Sequence, residues 1–301
     1  MMIPRRLSRR GYTLIEALVV IGILGLLIGL TLPAVQKIRG AAQRSECSNN
    51  MRQVGLALSN YHSVYNSFPR GIGLSDLDRE KMPYGSWHVL LLPFIEQDAV
   101  WLQAVDAFAT NPTAFMDLPH PFTTVIQLYG CPADSRTKGV GLGRKGTPVS
   151  LTSYLGVSGV RTSRKDGIFF SDSHIGYADI VDGTSNTLMV GERPPSGDLW
   201  YGWWYAGAGS DGLGRGDMLL GVKDVAGGAF DPYVLGCPTK SSGFVNGSID
   251  NLCDAFHFWS FHSGGANFLF ADGSVRFMPY AANEIMPALA TRAGGEAVSW
   301  E

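Results

Sequence analysis

A histidine and two aspartates in the last third of the chain have the residue types of an acid–base site. Nine residues separate His262 from Asp272, and Asp254 lies upstream of both. A histidine near a carboxylate can give or take a proton. The chain offers no nucleophile in a familiar setting such as G-x-S-x-G, and Asp272 precedes a glycine, as in a turn. We therefore expect no catalytic residue, and we interpret SFHSGG as a strand end and a bend that the His262 side chain bridges.

Four oxygen-bearing side chains in the stretch ADIVDGTSNT could bind calcium, because Ca²⁺ prefers carboxylate, hydroxyl and amide oxygens. They are Asp179, Asp182, Thr184 and Asn186. Their spacing does not follow the EF-hand loop, and Asp and Asn are typical of turns that bond their own backbone. We favour a turn that leads into a strand, with calcium as the alternative. The six histidines show no metal-binding spacing, and we expect no other cofactor.

The cysteines are even in number and include no C-x-x-C pair: Cys47, Cys131, Cys237 and Cys253. This pattern disfavours a zinc ribbon or a thioredoxin-like motif, and outside the cytoplasm it favours disulfides, with three connectivities open. Cys237 and Cys253 are the most local pair. We favour a bond between them, which leaves Cys47 to pair with Cys131.

Aromatic residues are concentrated in DLWYGWWYAGAG, residues 198–209. An exposed run of this kind could stack on sugars, whereas a buried one would pack as a strand on both faces. We favour packing and keep a carbohydrate- or solute-binding face as the alternative.

An apolar segment near the N-terminus is long enough to span a membrane. Residues 12–32 number 21, or about 31 Å as a helix, against a hydrocarbon core of ~30 Å. The run exceeds the h-region of a secretory signal peptide. Four arginines precede it, which predicts a cytoplasmic N-terminus. A plain anchor does not explain the carboxylate of Glu16 at the start of the run.

The residues RRGYTLIEALVVIGILGLLIGLTLPAVQ resemble the type IV prepilin signature, which is a basic leader, a glycine, an aromatic residue and Thr-Leu-Ile-Glu before an apolar helix. The resemblance implies that a leader peptidase cuts after Gly11 and that the new N-terminus at Tyr12 is methylated. Tyr12 replaces the usual phenylalanine. The resemblance also implies that Glu16 neutralises the N-terminal amine of a neighbouring subunit during assembly.

Beyond the apolar run, the pattern predicts helices followed by short strands. Met51, Val54, Leu58, Tyr61 and Tyr65 form one apolar stripe of a helical stem. Residues 86–108 predict a second helical region, capped by Ser86 and interrupted at Pro93. Strands are predicted in TTVIQLYGCP, TSYLGVSG, GIFFSD and NTLMVGE.

The stretch ANFLFADGSVRFM predicts a β-hairpin with Asp272-Gly273 as a two-residue type I′ turn. That register pairs Phe270 with Val275, Phe268 with Phe277 and Leu269 with Arg276. The spacing of His262, nine residues and Asp272-Gly273 also resembles the H-x9-DG motif of a prepilin-like family abundant in planctomycetes. The stretches CSNNMRQVGLALSNYH, LLPFIEQ, CPADS, SYLGVSG and ADIVDGTSNTLMVGERP extend this resemblance over nearly the whole chain.

Together these patterns predict an α+β protein in which a long N-terminal helix packs its outer half on an antiparallel β-rich domain. The expected divisions are a leader (1–11), a transmembrane helix (12–33), a stem (34–66) and a globular domain (67–301) with the hairpin at 262–278. The resemblance implies a structural subunit of a type II secretion or type IV pilus-like assembly, in the inner membrane with its C-terminal domain outside. Its partners would be prepilin-like subunits and the leader peptidase. A formal net charge of −2 argues against a nucleic-acid partner.

Overall fold

A computed structural model describes most of the chain, and it divides the chain into the units Met1–Ala42 and Gln43–Glu301. The described residues are 14–74, 82–112, 120–143, 146–225, 237 and 243–296. Helix α1 (Leu14–Tyr65) runs through the boundary between the two units. The predicted α+β class is confirmed, because this helix is followed by short helices and a five-stranded sheet.

In the first unit, residues 17–30 of α1 are apolar on all sides. Its most hydrophobic 18-residue window has a mean hydropathy of 2.6 and no buried residue. Side chains such as Leu14, Ile21 and Leu30 are each more than 60 % exposed. A helix that is hydrophobic all round requires an apolar surrounding. By length and composition, this segment could cross a membrane.

In the second unit, the last part of α1 buries one face. Four residues of the predicted stripe, Met51, Val54, Leu58 and Tyr61, are buried there, together with Cys47. The fifth residue of the stripe, Tyr65, is instead 47 % exposed.

Close contact between α1 and the sheet depends on a glycine. A Cβ at Gly55 would lie 2.8 Å from Cδ1 of Leu269, which is too short for an unstrained contact. The absence of a side chain at Gly55 therefore lets Leu269 pack directly against the helix.

The second helical region, residues 86–108, begins after Ser86 and is interrupted at Pro93, as predicted. Helix α2 (Trp87–Leu90) begins after Ser86, whose Oγ accepts a hydrogen bond from Val89 N. Pro93 lies in a single 3₁₀ turn (Leu92–Ile95), and the backbone then turns through Glu96 at φ 60°. Helix α3 (Asp98–Thr110) follows.

The main sheet has five strands, which in chain order are β3 (Tyr154–Val157), β4 (Leu188–Glu192), β5 (Leu219–Leu220), β6 (Gly265–Phe270) and β7 (Val275–Pro279). Their spatial order is β5-β3-β4-β6-β7. All neighbours are antiparallel except β3 and β5, which are parallel, so the sheet is mixed. Strands β1 (Val140–Leu142) and β2 (Pro148–Ser150) form a separate pair.

Two of the predicted strands were wrong. Residues 123–132 contain a short 3₁₀ turn (Gln127–Tyr129) in place of a strand. Residues 167–172 follow an irregular path beside β3, in which Phe169 N donates to Val157 O without forming a regular ladder. In both segments β-branched and aromatic side chains are buried, but their backbones do not pair as strands. A composition typical of strands therefore also suits a buried segment of irregular structure.

Both faces of the sheet are covered. The face that contacts α1 includes Leu269 and Val190. The opposite face contains Phe268 and Phe270, and helix α4 (Met286–Ala290) packs there through Met286 and Leu289.

The turn between β6 and β7 differs from the predicted two-residue type I′ turn. Phe270 N donates to Ser274 O, and Gly273 N donates to Phe270 O. The loop therefore has three residues, Ala271 to Gly273. Gly273 has φ +83°, whereas Asp272 is not among the described residues with a positive φ. A type I turn followed by a left-handed glycine is the usual three-residue hairpin.

The additional loop residue shifts the strand register by one. Leu269 lies opposite Val275, and Phe268 lies opposite Arg276. The predicted Phe268–Phe277 pair is therefore wrong, and Phe277 instead lies under the guanidinium of Arg44, 4.7 Å from the ring centre.

Replacement of Gly273 by valine should lower the free energy of unfolding by ~1 kcal/mol or more, because a β-branched residue is strained at positive φ. A Cβ at this position would meet no atom within 4 Å, so the cost is one of backbone conformation alone. Gly273→Asn is the matched control, since asparagine tolerates this conformation. Urea denaturation that gave equal losses for the two variants would contradict this explanation.

Candidate functional site

A buried carboxylate joins β4 to β6. Glu192 is the last residue of β4 and is 1 % exposed. Its Oε2 accepts a hydrogen bond from Asn267 N at 2.7 Å, and its Oε1 accepts one from Asn267 Nδ2 at 3.0 Å. A charged group at this depth must be hydrogen-bonded. The two bonds from Asn267 satisfy this requirement and fix the orientation of the carboxylate.

His262 is directed at this carboxylate. Its Nε2 lies 3.4 Å from Glu192 Oε1 and 3.5 Å from Cys131 Sγ, and the side chain is 4 % exposed. The predicted bridge across the bend is wrong, because Ser260 forms it: Ser260 Oγ donates to Gly265 O and accepts from His262 N. His262 thus connects the end of the sheet to a disulfide.

That disulfide joins Cys47 on α1 to Cys131, and a second one joins Cys237 to Cys253. This is the pairing that locality along the chain favoured. The four groups around the first disulfide offer ligand atoms within 4.8 Å of one another and are all buried: Cys47, Cys131, Glu192 and His262. They are drawn from a helix, two loops and a strand.

The aspartates considered for acid–base chemistry are not beside His262. Asp254 accepts a hydrogen bond from His257 Nε2 at 3.0 Å. Asp272 accepts one from Ser274 N at 2.8 Å, which is a turn role. The sequence therefore identified His262 and Cys131 separately but did not bring them together, and it missed Glu192.

The carboxylates of the calcium hypothesis bind backbone N–H groups. Asp182 accepts hydrogen bonds from Gly294 N and Gly295 N, and Asp179 accepts one from Gly176 N. Asn186 donates to Asp182 O. These contacts fit the predicted turn, in which a 3₁₀ segment (Thr184–Asn186) leads into β4.

Four of the five aromatic side chains in the run are buried, and the fifth, Trp200, is half-buried. Trp203, Trp204 and Tyr205 are each at most 3 % exposed, and Tyr201 is 4 % exposed. Trp204 Nε1 donates to Thr124 O and Trp203 Nε1 to Leu199 O, so the polar edges of both indoles are satisfied within the domain. These four rings belong to the core, so Trp200 alone of the five could contribute to a sugar-stacking face.

At the N-terminus, the predicted cleavage position Gly11–Tyr12 lies outside the described residues. Glu16 lies in the first turn of α1 and is exposed. It stands at the start of the apolar segment, with Leu14, Ile15 and Leu18 around it.

Comparison with known proteins gives two matches. Residues 36–284 match the model of a family described as "Protein of unknown function (DUF1559)". Residues 6–32 match the "Prokaryotic N-terminal methylation motif", which covers Gly11, Tyr12 and Glu16. No curated protein and no solved structure matches the chain. The methylation motif supports a type IV pilin-like or pseudopilin-like subunit with a membrane anchor, and the match over 36–284 shows that the chain belongs to the DUF1559 family.

Proposed function

We propose that this protein is a membrane-anchored, pilin- or pseudopilin-like subunit of a type II secretion or type IV pilus-like envelope assembly, with a structural rather than a catalytic role. The observation that carries the proposal is the methylation motif, whose apolar part lies on an exposed helix that could cross a membrane. In such an assembly the helices would pack against one another, which would cover the apolar surface that one chain alone exposes.

The cysteines support a C-terminal domain outside the cytoplasm. All four lie after the apolar segment, and all four form disulfides. Disulfides persist in oxidising compartments and are rare in the cytosol. The arginines before the segment favour a cytoplasmic N-terminus in the inner membrane.

Processing should remove the first eleven residues. In cells with an active prepilin peptidase, intact-mass or N-terminal analysis should find a chain that begins at Tyr12 and carries one N-methyl group. Replacement of Gly11 by leucine should block this step, because the peptidase must accommodate the residue before the cut. A native chain that still began at Met1 or Met2 would contradict the prepilin assignment.

The carboxylate of Glu16 has a physical role in this proposal. A charge at mid-bilayer costs ~2.5–3.5 kcal/mol and less near the edge, so a monomer with an acid in the first helical turn can still insert. Cleavage after Gly11 would create an amine at Tyr12. In the packed assembly, the amine of one subunit and Glu16 of the next would neutralise each other where water is scarce.

Glu16→Leu should therefore leave insertion and cleavage intact and weaken assembly. A charge-assisted bond contributes roughly 1.5–3 kcal/mol, which corresponds to about tenfold or more in association. Tagged wild-type and variant chains should be co-expressed and crosslinked in cells. Glu46→Leu, which removes an exposed carboxylate from the same helix beyond the apolar segment, is the matched control. Equal crosslinking of wild type and Glu16→Leu would mean that this acid has no role in assembly.

A further inference from the structure

Four side chains around the Cys47–Cys131 disulfide have the chemistry of a zinc site. Two sulfurs, one imidazole nitrogen and one carboxylate oxygen come within 4.8 Å of one another. Thiolate, imidazole and carboxylate are the ligands that Zn²⁺ takes in tetrahedral sites. In the oxidised protein the sulfurs are bonded to each other, so neither can act as a thiolate ligand.

Two of the distances already match a tetrahedron around zinc. Zn–S bonds of ~2.3 Å and Zn–N and Zn–O bonds of ~2.0–2.1 Å give S···N edges of about 3.5 Å and N···O edges of about 3.3 Å. In the structure, Cys131 Sγ lies 3.5 Å from His262 Nε2, and that nitrogen lies 3.4 Å from Glu192 Oε1. Nε2 of His262 thus lies close to Cys131 Sγ and Glu192 Oε1, with which it would coordinate a shared metal ion.

The sulfur–sulfur edge does not match that geometry. A tetrahedral site requires two separate thiolates about 3.8 Å apart, whereas the two sulfurs of the disulfide are bonded to each other. Reduction would therefore have to precede metal binding. It would also release two thiols that are buried beside a carboxylate, in a place where a divalent cation would compensate the negative charge.

A supporting residue is also in place. Asn267 donates two hydrogen bonds to Glu192 and holds Oε1 on the side of His262. Ligating carboxylates in metal sites are oriented by hydrogen bonds of this kind. The other disulfide, Cys237–Cys253, is not part of the cluster found among the described residues.

We propose that this site is a redox-dependent zinc site: Cys47 and Cys131 form a disulfide when oxidised, and when reduced they bind Zn²⁺ together with Glu192 and His262. Reduction by a phosphine breaks the S–S bond with two electrons. The phosphine takes the oxygen of a water molecule and becomes its oxide. The two protons of that water bind to the two sulfurs, which become thiols. Binding of Zn²⁺ then releases both thiol protons to solvent.

The test uses the full-length protein in detergent, with Co²⁺ as a spectroscopic substitute for Zn²⁺. After reduction by a phosphine, one equivalent of Co²⁺ should give the intense visible bands of a four-coordinate site and a thiolate charge-transfer band. One equivalent of Zn²⁺ should remove both. Oxidised protein should show neither band. Reduced wild type that keeps its circular dichroism and shows no band would overturn the proposal.

Variants assign the ligands. Cys237→Ser/Cys253→Ser should retain the bands after reduction, because it leaves the four ligands unchanged. Cys47→Ser/Cys131→Ser should lose the charge-transfer band. His262→Gln and Glu192→Gln should each weaken Co²⁺ binding by at least about tenfold. Each variant is compared by circular dichroism first. Bands that survived in Cys47→Ser/Cys131→Ser but were lost in Cys237→Ser/Cys253→Ser would place the metal elsewhere and refute the proposal.

Discussion

Replacement of both Cys47 and Cys131 by alanine should lower the free energy of unfolding by about 4–5 kcal/mol, the largest effect that we expect from any pair of substitutions. The bond closes a sequence separation of 84 residues, and the chain-entropy model assigns about this value to a loop of that size. It also connects α1 to the globular domain, where both sulfurs are buried. Its loss would therefore release the helix as well as the loop.

The second disulfide supplies the control. Cys237 and Cys253 are separated by only 16 residues, for which the same model gives about 3 kcal/mol. Urea denaturation of the two double-alanine variants, followed by tryptophan fluorescence in detergent without added metal, should rank them in this order. A larger loss from Cys237→Ala/Cys253→Ala than from Cys47→Ala/Cys131→Ala would contradict the argument from loop length.

Local features of the fold could be predicted from the sequence because they depend on neighbours along the chain. The apolar stripe of α1 repeats with helical period, and Ser86 and Pro93 act within one turn of their own positions. The hairpin turn was predicted at the correct place. Its register was not, because Asp-Gly is compatible with a two-residue or a three-residue loop, and one additional residue changes every cross-strand pair.

The candidate site could be predicted only in part, because its members come from distant segments. His262 contacts Glu192, 70 residues earlier, and Cys131, 131 residues earlier. Periodicity shows which face of a strand is buried, but it does not show which loop will cover that face. Glu192 gave one available signal, since it is a charged residue at the end of the apolar strand LMVGE. A charge in that position indicates either exposure or a specific partner.

The aromatic run shows a similar limit. The sequence around Trp203 and Trp204 is compatible with an exposed binding face and with a buried core. Burial of the two rings depends on what surrounds them. The ring centre of Trp203 lies 6.4 Å from that of Phe122, and the ring centre of Trp204 lies 5.7 Å from that of Tyr129. Phe122 and Tyr129 are about 75–80 residues earlier in the chain. Only the assembled fold distinguishes the two cases.

Stability should fall as the pH is lowered from neutral to mildly acidic, because His88 is buried as a neutral imidazole. Its ring stacks on Trp87 and meets the edge of Tyr129. Nε2 lies 3.1 Å from Tyr154 O, whereas Nδ1 has no hydrogen-bond partner among the described residues. Burial lowers the pKa of His88 to about 3, and the bond to Tyr154 O opposes this in part. A second proton at Nδ1 would be a buried donor without an acceptor.

The sign and size follow from proton uptake. Below its ordinary pKa of 6.5, His88 gains a proton in the unfolded chain but not in the folded one, so acid favours unfolding down to about pH 3. One proton changes the free energy of unfolding by ~1.4 kcal/mol per pH unit, which gives about 2–3 kcal/mol between pH 7 and pH 4.5. Burial also lowers the pKa of His120 and raises that of Asp224, and the latter acts in the opposite direction.

The variant His88→Gln separates His88 from these other groups. Glutamine keeps an amide N–H for Tyr154 O and Thr152 Oγ1 but cannot take up a proton in this range. Its lost stacking should lower stability at every pH, so the informative quantity is the slope. Urea denaturation from pH 7 to pH 4.5 should give a slope smaller than that of wild type by about one proton. The contributions of His120 and Asp224 are common to both chains and cancel in the difference. Equal slopes would mean that His88 is protonated in the folded protein, and that its buried Nδ1 has a partner such as an ordered water.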